Sequence, residues 1–160
     1  MHIVKLRPAR LEDHVSLQRI CWPERSAEAS QAFLARVLAD LPGRGRGAVV
    51  VAQHAADVVG FGLLTYWPDV GEISDLVVGP AWRGQGIGSA LIHDLSYRVA
   101  KHGLSFVEIG VAQRNKRAYA LYTRLGFSWQ RSVSLNLGAG LERVDYLIKP
   151  LKPLSGSDPA

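Results

Sequence analysis

A glycine-rich turn is the part of the sequence best suited to bind an anion. It reads Arg-Gly-Gln-Gly-Ile-Gly-Ser from Arg83 to Ser89, between a strand-like run, Ile73 to Val78, and an amphipathic helical run, Ile87 to His102. Glycines allow positive φ angles and carry no Cβ, so several backbone N–H groups in succession can turn toward one anion. The helix that follows adds the positive end of its dipole. The turn from Gly84 to Ser89 therefore predicts a pyrophosphate site.

The spacing of the glycines distinguishes this turn from two common nucleotide-binding loops. Gly84, Gly86 and Gly88 form G-x-G-x-G, so the third glycine comes one residue earlier than in the dinucleotide-binding pattern G-x-G-x-x-G. Glu108, 20 residues after Gly88, falls in the middle of a predicted strand rather than at its end, where a ribose would be contacted. No Gly-Lys-Ser/Thr follows, as a P-loop would need. The pattern argues against both loops.

Asn115 and Tyr122 form a second group that could do chemistry. They are seven residues apart, about two helical turns, so on the predicted last helix they lie on one face. A phenol with a pKa of about 10 is protonated at neutral pH and can act as a general acid. Asparagine is also a common helix N-cap, and a tyrosine on an apolar stripe is commonly a core residue. The spacing leaves both interpretations open.

The hydrophobic patterns predict the elements that position these groups. Helices are expected at Leu11–Cys21, Glu24–Ala39, Ile87–His102 and Asn115–Leu125. Strands are expected at His2–Arg7, Ala48–Gln53, Val58–Tyr66, Glu72–Val78, Phe106–Ala112, Phe127–Leu137 and Arg143–Ile148. Short links before the glycine turn predict an antiparallel meander, whereas the strand, helix, strand unit around the turn predicts a parallel pair. The sequence thus predicts an α/β (α+β) fold with a mixed, mostly antiparallel central sheet of about seven strands and about four helices.

Length and composition bound the class of protein. A chain of 160 residues is one ordinary domain, which we expect to span residues 1–150 and to end in a flexible C-terminal tail at residues 151–160. The chain is 48% hydrophobic and 21% charged, as soluble globular proteins are, and no apolar run approaches the roughly 20 residues that cross a bilayer. The N-terminus has no features of a secretory signal, so a cytoplasmic location without a membrane partner is expected.

Cysteine and histidine usage gives no sign of a disulfide or a metal site. Cys21 is the single cysteine and cannot form an internal disulfide. It lies at the end of a predicted helix beside Ile20 and Trp22, so a packed apolar thiol is expected rather than a nucleophile. The five histidines form no pair with metal-ligand spacing, and no metal is predicted.

The positive charge is concentrated in the second half of the chain. The net charge is +5, with 8 Lys/Arg against 9 Asp/Glu in residues 1–80 and 11 against 5 in residues 81–160. The excess surrounds the predicted anion site, where it would attract a polyanionic cofactor. An RNA-binding domain is an alternative that rests on this charge and on two arginines in Gly43–Gly47, which are a very weak signal. The segment Gly43–Gly47 is expected to be a mobile loop without regular structure. We predict no nucleic-acid partner.

Two segments resemble motifs of one enzyme family. The segment from Asp75 to Leu91 resembles the acetyl-CoA-binding motif of the GCN5-related N-acetyltransferases (GNAT), with its Arg/Gln-x-x-Gly-x-Gly/Ala signature. The segment from Asn115 to Phe127 resembles the family's later helix, which has Asn, then Tyr seven residues on, then Leu-Gly-Phe. The predicted order of elements is also similar to that of the family, from about residue 2 to residue 149.

The resemblance implies an N-acetyltransferase. Such an enzyme moves an acetyl group from acetyl-CoA to a primary amine of a small molecule or peptide by direct attack in a ternary complex, with no covalent enzyme intermediate. The alternative is a non-catalytic module that binds or senses acyl-CoA. The implied partners are acetyl-CoA as co-substrate and an amine-bearing acceptor, and a homodimer is left open. Trp67, Trp129 and Tyr146 are candidates to shape the acceptor pocket, and the alternative for these aromatic residues is a place in the core.

The resemblance also assigns roles around the glycine turn. The pantetheine arm would run beside the preceding strand by strand-like pairing, and the pyrophosphate would lie at the turn. The implied cofactor-binding set is Leu76, Val77, Val78, Arg83, Gly84, Gln85, Gly86, Ile87, Gly88, Ser89 and Asn115. Tyr122 would be the general acid that protonates the departing thiolate of CoA.

The attacking amine must either lose its proton to a base, often through water, or arrive in its neutral form. Some members of the family place a Glu-Asp pair on the strand before the glycine turn, and this chain has Ser74 followed by Asp75 there. Asp75 is therefore the first candidate, ahead of Glu72 and Glu108. Gly110 stands where a glutamate of the following strand would align.

Overall fold

The computed structural model describes residues 3–136 and 138–154 and contains a seven-stranded sheet in the order β1-β2-β3-β4-β5-β7-β6. Its strands are β1 Lys5–Pro8, β2 Gly47–His54, β3 Asp57–Tyr66, β4 Gly71–Val78, β5 Phe106–Ala112, β6 Ser128–Asn136 and β7 Leu141–Pro150. Its α-helices are α1 His14–Ile20, α2 Ala27–Asp40, α3 Ile87–Lys101 and α4 Lys116–Arg124. Within these residues, the predicted mixed sheet of seven strands with four α-helices is confirmed.

The direction of each strand pair follows from the connection between its strands. Neighbouring strands are antiparallel, except β4 and β5, which are parallel because α3 carries the chain across the sheet between them. The β4–β5 pairing ends at Ile73 opposite Ile109, although β4 continues to Val78 and β5 to Ala112. The second halves of these two strands therefore no longer pair with each other.

Helices cover both faces of the sheet. On β2, Val49 and Val51 belong to one apolar cluster and Val50 and Ala52 to another, because side chains of a strand alternate between its two faces. The first cluster includes residues of α1 and α2, and the second includes those of α3. Leu91 of α3 is fully buried, and burying a leucine side chain contributes about 1.5–3 kcal/mol. The second cluster thus fixes α3 on the sheet, and with it the glycine turn at its N-terminus.

Two helices begin later than the sequence predicts. The predicted helix from Leu11 starts as a 3-10 turn, Leu11–Asp13, and α1 follows at His14. The second predicted helix begins at Ala27 rather than at Glu24. Ser26 is its N-cap, since its Oγ accepts the Ala29 N–H at 3.0 Å. Caps of this kind decide a helix start more sharply than hydrophobic spacing does.

The expectation of an irregular loop at Gly43–Gly47 is partly wrong. Residues Pro42–Arg44 form a 3-10 turn, and Gly47 is the first residue of β2, where it pairs with Thr65. A Cβ at Gly47 would lie 1.8 Å from the carbonyl oxygen of Leu64. This glycine therefore reflects a close approach of two backbones within the sheet.

Cys21 has the surroundings that the sequence predicts. It is 6% exposed, and burial raises the pKa of its thiol to about 12, which confirms a packed thiol.

The chain ends are described only in part. At Leu151, the first residue of the predicted tail, the backbone N–H donates to the Ser105 carbonyl at 2.8 Å. His2 and Leu137 of the predicted strands, and residues 155–160 of the predicted tail, lie outside the described residues. Among the described residues, no helix has the length and apolarity to cross a membrane.

Candidate functional site

An irregularity in β4 opens the sheet. Opposite Phe61 and Leu63 of β3 stand Val77 and Ser74 of β4, so two residues of β4, including Asp75, face one residue of β3. Asp75 has a φ of 52°, in the left-handed region that few residues other than glycine adopt. A bulge of this kind bends its strand and increases its twist. Only Ser74 separates Asp75 from Ile73, the last residue of β4 that pairs with β5, so the bulge accounts for the separation of the two strands.

A cleft occupies the space where β4 and β5 part. Its larger part has a volume of about 560 Å³ and runs between β4, the glycine turn and α4. A smaller chamber of about 180 Å³ lies between the parted strands, where it is lined by Asp75 and Gly110. Leu76, Asn115 and Tyr122 line both parts. The sequence-predicted groups are therefore brought together at the junction of the two.

Most of the predicted cofactor-binding residues line the larger part of the cleft. These are Leu76, Val77, Val78, Arg83, Gly84, Gly86, Ile87, Gly88, Ser89 and Asn115. Gln85 is the exception, because it is not among the residues that line this part of the cleft. Its Oε1 is buried and makes no hydrogen bond to any described residue. Ile87 is also a core residue, with 3% of its surface exposed.

The glycine turn has the backbone geometry of an anion cradle. Gly84 and Gly86 have φ angles of 75° and 83°, which glycine adopts without strain. Gly86 is the N-cap of α3, and the first hydrogen bond of the helix runs from the Ala90 N–H to the Gly86 carbonyl at 3.0 Å. The earlier N–H groups of the first turn have no partner within the helix. Apart from Gly86 and its two chain neighbours, no atom of the described residues lies within 4 Å of the place that a Cβ of Gly86 would take, so a phosphate can approach the backbone there.

The register of β3 and β4 decides which backbone groups of β4 face the cleft. The Gly79 N–H donates to the Val59 carbonyl at 2.9 Å, and hydrogen-bonded pairs alternate along an antiparallel ladder. Val77 therefore directs its N–H and C=O to β3, whereas Val78 directs its own away from β3, into the cleft. The Leu76 C=O also points away from β3, because it shares a trans peptide with the Val77 N–H. The Val78 carbonyl accepts the Arg83 Nε–H at 3.2 Å.

Tyr122 and Asn115 lie on the α4 side of the junction. Tyr122 is 7% exposed, and burial raises the pKa of its phenol to about 12, so its hydroxyl is protonated at neutral pH. Asn115 is the N-cap of α4, since its Oδ1 accepts the Ala118 N–H at 3.1 Å. The capping interpretation of this asparagine is confirmed, and the cap also holds Asn115 beside the cleft.

The three candidate bases have different surroundings. Asp75 is exposed and lines the smaller chamber. Glu72 and Glu108 are paired across the β4–β5 ladder, just before the strands part. The Trp67 Nε1–H donates to Glu72 Oε1 at 2.8 Å, and Arg131 donates to both carboxylate oxygens of Glu108 at 3.0 and 3.2 Å. Asp75 alone of the three lines the cleft.

Sequence reasoning missed the part played by Arg131. Its guanidinium carbon lies 4.2 Å from the centre of the Tyr146 ring while its nitrogens hold Glu108. No local pattern could reveal this, because the three residues lie on three different strands. Trp129, predicted to shape a pocket with Tyr146, instead donates its Nε1–H to Ser132 at 2.9 Å. Ser132 is paired with the neighbour of Tyr146 on β7, and so lies on the opposite face of the sheet.

Two further features describe the charges near the cleft. Arg117 of α4 comes close to the glycine turn, since its Nη2 would lie 3.8 Å from a Cβ on Gly84. Arg83, Arg117 and Arg124 all line the larger part of the cleft, which is therefore positively charged beside the anion cradle.

Within residues 3–136 and 138–154, no three His, Cys, Asp or Glu side chains are grouped as a metal site would need.

Comparison with known proteins decides the family. The sequence model of the Acetyltransferase (GNAT) family matches residues 11–127 of this chain. The chain belongs to the GNAT family. It is therefore an acyltransferase enzyme, and the family resemblance of the sequence is confirmed. An uncharacterized N-acetyltransferase of Mycobacterium tuberculosis is 33% identical over 123 residues, which cover 76% of this chain and 76% of that protein.

Solved structures of the family share the fold. A phosphinothricin acetyltransferase from Sinorhizobium meliloti, solved in complex with acetyl-CoA, has a TM-score of 0.75 at 23% identity and covers 98% of this GNAT chain and 96% of its own. The ribosomal-protein-S18-alanine N-acetyltransferase from Escherichia coli has a TM-score of 0.75 at 18% identity, with 99% of each chain covered. The GNAT fold predicted for this chain is thus confirmed over nearly its whole length.

Proposed function

We propose that this enzyme moves the acetyl group of acetyl-CoA to a primary amine of a small molecule or peptide, by direct attack of the amine in a ternary complex. The observation that carries the proposal is the position of Tyr122. This buried phenol lines both the larger part of the cleft and the chamber between the parted strands. A thioester held along the cleft would bring its sulfur to the junction of the two, within reach of a protonated hydroxyl.

Acetyl-CoA would lie along the larger part of the cleft. The N–H groups of Gly84–Ser89 would take the pyrophosphate, with Arg83 and Arg117 supplying positive charge nearby. The pantetheine arm would pair with the C=O group of Leu76 and with the backbone groups of Val78, which face away from β3. The acetyl-CoA complex of the Sinorhizobium meliloti relative supports this choice of donor.

The reaction needs an acid for the leaving sulfur. The amine nitrogen attacks the thioester carbonyl carbon, a C–N bond forms, and the C–S bond breaks with both electrons going to sulfur. The Tyr122 hydroxyl donates to that sulfur as negative charge builds on it. Because burial raises the pKa of Tyr122 to about 12, its hydroxyl stays protonated at neutral pH and is available to protonate the departing thiolate.

Asp75 is the first candidate to accept the proton that the amine loses. It is exposed and lines the chamber through which the amine would approach. Glu72 and Glu108 follow it, because their carboxylates already accept hydrogen bonds from Trp67 and Arg131. A nucleophilic amine must be neutral, so a protonated amine has to lose a proton before it attacks. That proton would pass through water to Asp75.

The first test is a screen of amines, antibiotics and peptides for thiol release from acetyl-CoA. With the best acceptor, Tyr122→Phe should keep its affinity for CoA and lose about 100-fold or more in kcat. Tyr119→Phe, on the same helix but outside the residues that line the cleft, is the matched control and should stay near the wild type. Unchanged turnover in Tyr122→Phe would refute its role as acid. Tight CoA binding without turnover of any amine would favour the alternative, a sensing module.

Other features inferred from the sequence stay predictions. They are the single domain of residues 1–150, the cytoplasmic location, and the absence of a metal and of a nucleic-acid partner. The sequence does not decide whether the chain forms a homodimer. Binding of RNA that weakens steeply with salt and does not compete with CoA would contradict the prediction about nucleic acid.

A further inference from the structure

Tyr146 lies on the face of the sheet that carries Glu72 and Glu108. It is opposite Gly110 in the β5–β7 pair and opposite Arg131 in the β6–β7 pair. Residues that are directly opposite each other in a sheet project to the same face. Gly110 lines the chamber between the parted strands, and Tyr146 lies next to this residue of the chamber wall.

The missing side chain of Gly110 makes room for this ring. A Cβ on Gly110 would lie 3.2 Å from Cε1 and 3.5 Å from Cζ of Tyr146. The first of these distances is tighter than an ordinary contact, so any larger residue would displace the ring by a few tenths of an ångström. The resemblance to the family aligns a glutamate with Gly110, and in this chain the tyrosine ring uses the space instead.

Arg131 holds the ring from another side. Its guanidinium carbon lies 4.2 Å from the ring centre, within the range of a cation–π interaction. The guanidinium is itself fixed, because Nη2 and Nη1 donate to the two carboxylate oxygens of Glu108 at 3.0 and 3.2 Å. Glu108 is 7% exposed and belongs to β5. The ring of Tyr146 therefore cannot swing away without breaking a contact to the chamber wall or to this ion pair.

The hydroxyl end of the ring lies over β5. Cε1 and Cζ of Tyr146, at that end of the ring, are the ring atoms nearest to the Cβ position of Gly110 in β5. The ring therefore extends from β7 onto the strand that parts from β4 after Ile109. Burial raises the pKa of Tyr146, and the charges of Glu72 and Glu108 raise it further while the charge of Arg131 opposes the rise.

We propose that Tyr146 selects the acceptor by size at the carbon that bears the amine. The proposal rests on the proposed function, because an amine must approach a thioester in the cleft through the chamber that the ring borders. An amine on an unbranched CH2 group passes the ring edge. An amine whose carbon carries a second carbon substituent collides with the ring, which Gly110 and Arg131 hold in place. The acceptor class is therefore a primary amine on a methylene group.

The test compares amines that differ in branching at that carbon. The pairs are butylamine against 2-aminobutane, and triglycine against alanyl-glycyl-glycine, each measured by thiol release at saturating acetyl-CoA. The wild type should prefer the unbranched member by about tenfold or more in kcat/KM, as expected when one carbon is excluded from a pocket. Tyr146→Ala should reduce the preference to less than about threefold, with the KM for acetyl-CoA and the Kd for CoA unchanged.

Three further variants separate the ring from its surroundings. Tyr146→Phe keeps the ring and should keep the preference. Gly110→Ala displaces the ring by a few tenths of an ångström and should change the ratio while Tyr146 itself is intact. Tyr97→Ala is the matched control, because Tyr97 is a 51% exposed tyrosine of α3 with a cation, Lys101, 6.0 Å from its ring centre. It should leave the ratio as in the wild type.

The outcomes distinguish this proposal from the one on which it rests. A wild type that acetylates both members of each pair equally well, or a Tyr146→Ala variant with the wild-type preference, overturns the role of Tyr146 and leaves the proposed function intact. A folded wild type that releases no thiol with any of the four amines, and with none in the screen, overturns the proposed function and this role with it. Melting temperatures show whether each variant is folded, and Gly110→Ala gives the answer if Tyr146→Ala is not.

Discussion

Replacing Gly86 with alanine would separate the backbone strain of the glycine turn from its use as an anion cradle. Gly86 has a φ of 83° and lines the cleft. Beyond Gly86 and its chain neighbours, no atom in the described part of the chain lies within 4 Å of the place that a Cβ would take, so the new methyl group makes no further contact there. Alanine would still be held in the left-handed region, which costs about 1–2 kcal/mol in folding free energy. For a chain of this size the loss corresponds to about 2–8 °C in Tm.

The same substitution should weaken cofactor binding by more than its effect on stability would suggest. The methyl group would stand in the open space over the turn, where a phosphate must come into contact with backbone N–H groups. We expect the Kd for CoA to rise by about tenfold or more, which is about 1.4 kcal/mol in binding free energy. Folded protein would remain the major species, because domains of this kind are stable by about 5–15 kcal/mol.

Two other glycines provide matched controls. Gly103 follows α3 with a φ of 93°, and apart from its chain neighbours no atom of residues 3–136 and 138–154 lies within 4 Å of its Cβ position. Gly103→Ala therefore carries the same strain outside the cleft. It should lose about 1–2 kcal/mol of stability with unchanged CoA affinity. At Gly88, in the first turn of α3, a Cβ would make ordinary contacts of 3.7 Å to Leu121 and 3.9 Å to Val78. Gly88→Ala should gain about 0.5–1 kcal/mol and keep the Kd within about threefold, since the family signature accepts alanine there.

Urea titration gives the free energy of unfolding of each variant, and isothermal titration calorimetry gives its Kd for CoA. The reasoning is refuted if Gly86→Ala binds CoA as tightly as the wild type. It is also refuted if Gly103→Ala weakens CoA binding as much as Gly86→Ala does, because the effect would then come from strain alone.

Three further predictions concern the core, the buried phenol and a buried ion pair. In urea titrations, Leu91→Ala should lower the free energy of unfolding by about 2–5 kcal/mol because Leu91 is fully buried, whereas Val15→Ala, at a 62% exposed position, should change it by less than about 0.5 kcal/mol. Burial raises the pKa of Tyr122 in the folded protein to about 12, above its unfolded value of about 10. The free energy of unfolding should therefore not depend on this group below pH 10 and should fall by up to about 2–3 kcal/mol between about pH 10 and 12. Tyr122→Phe should lack that part of the fall, and an equal dependence of stability on pH in the two proteins would contradict the shift. Arg7→Met should cost about 3–5 kcal/mol, because it leaves the buried carboxylate of Asp13 without its partner at 2.7 Å, and a loss below about 1 kcal/mol in thermal unfolding would show that the pair is not needed.

Local patterns predicted the elements around the site well. The strand Phe106–Ala112 matches β5 at both ends, and the helix after the glycine turn begins at Ile87 as predicted. These elements have strong period-2 or period-3.6 patterns and end at glycine or at a change of pattern. Where a boundary depends on a cap, as at Ser26, the same patterns placed the helix start too early. Periodicity identifies the face that is buried, whereas the start of a helix depends on one side chain.

The bulge at Asp75 was beyond the reach of the sequence. The side chains of Ser74 and Asp75 suggest a chemical role, but neither residue type indicates that β4 gains a residue relative to β3 at this point. A bulge is a property of two paired strands, so it depends on the register, which is set by contacts between residues far apart in the chain. The same holds for Val77, whose backbone groups face β3, and for Trp129, which lies on the other face of the sheet from Tyr146.

Three features of the site follow from local sequence: the order of the elements, the glycine turn at the start of α3, and the positions of Asn115 and Tyr122 two turns apart on one helix. These depend on backbone freedom and on spacing within one segment, which neighbouring residues control. Three others appear only in the folded protein: β4 and β5 part after Ile73, Tyr122 stands at the junction of the cleft, and Arg131 reaches over β7 to hold Glu108. Each of these joins residues from separate strands or helices, and such distances are set by packing of the whole sheet.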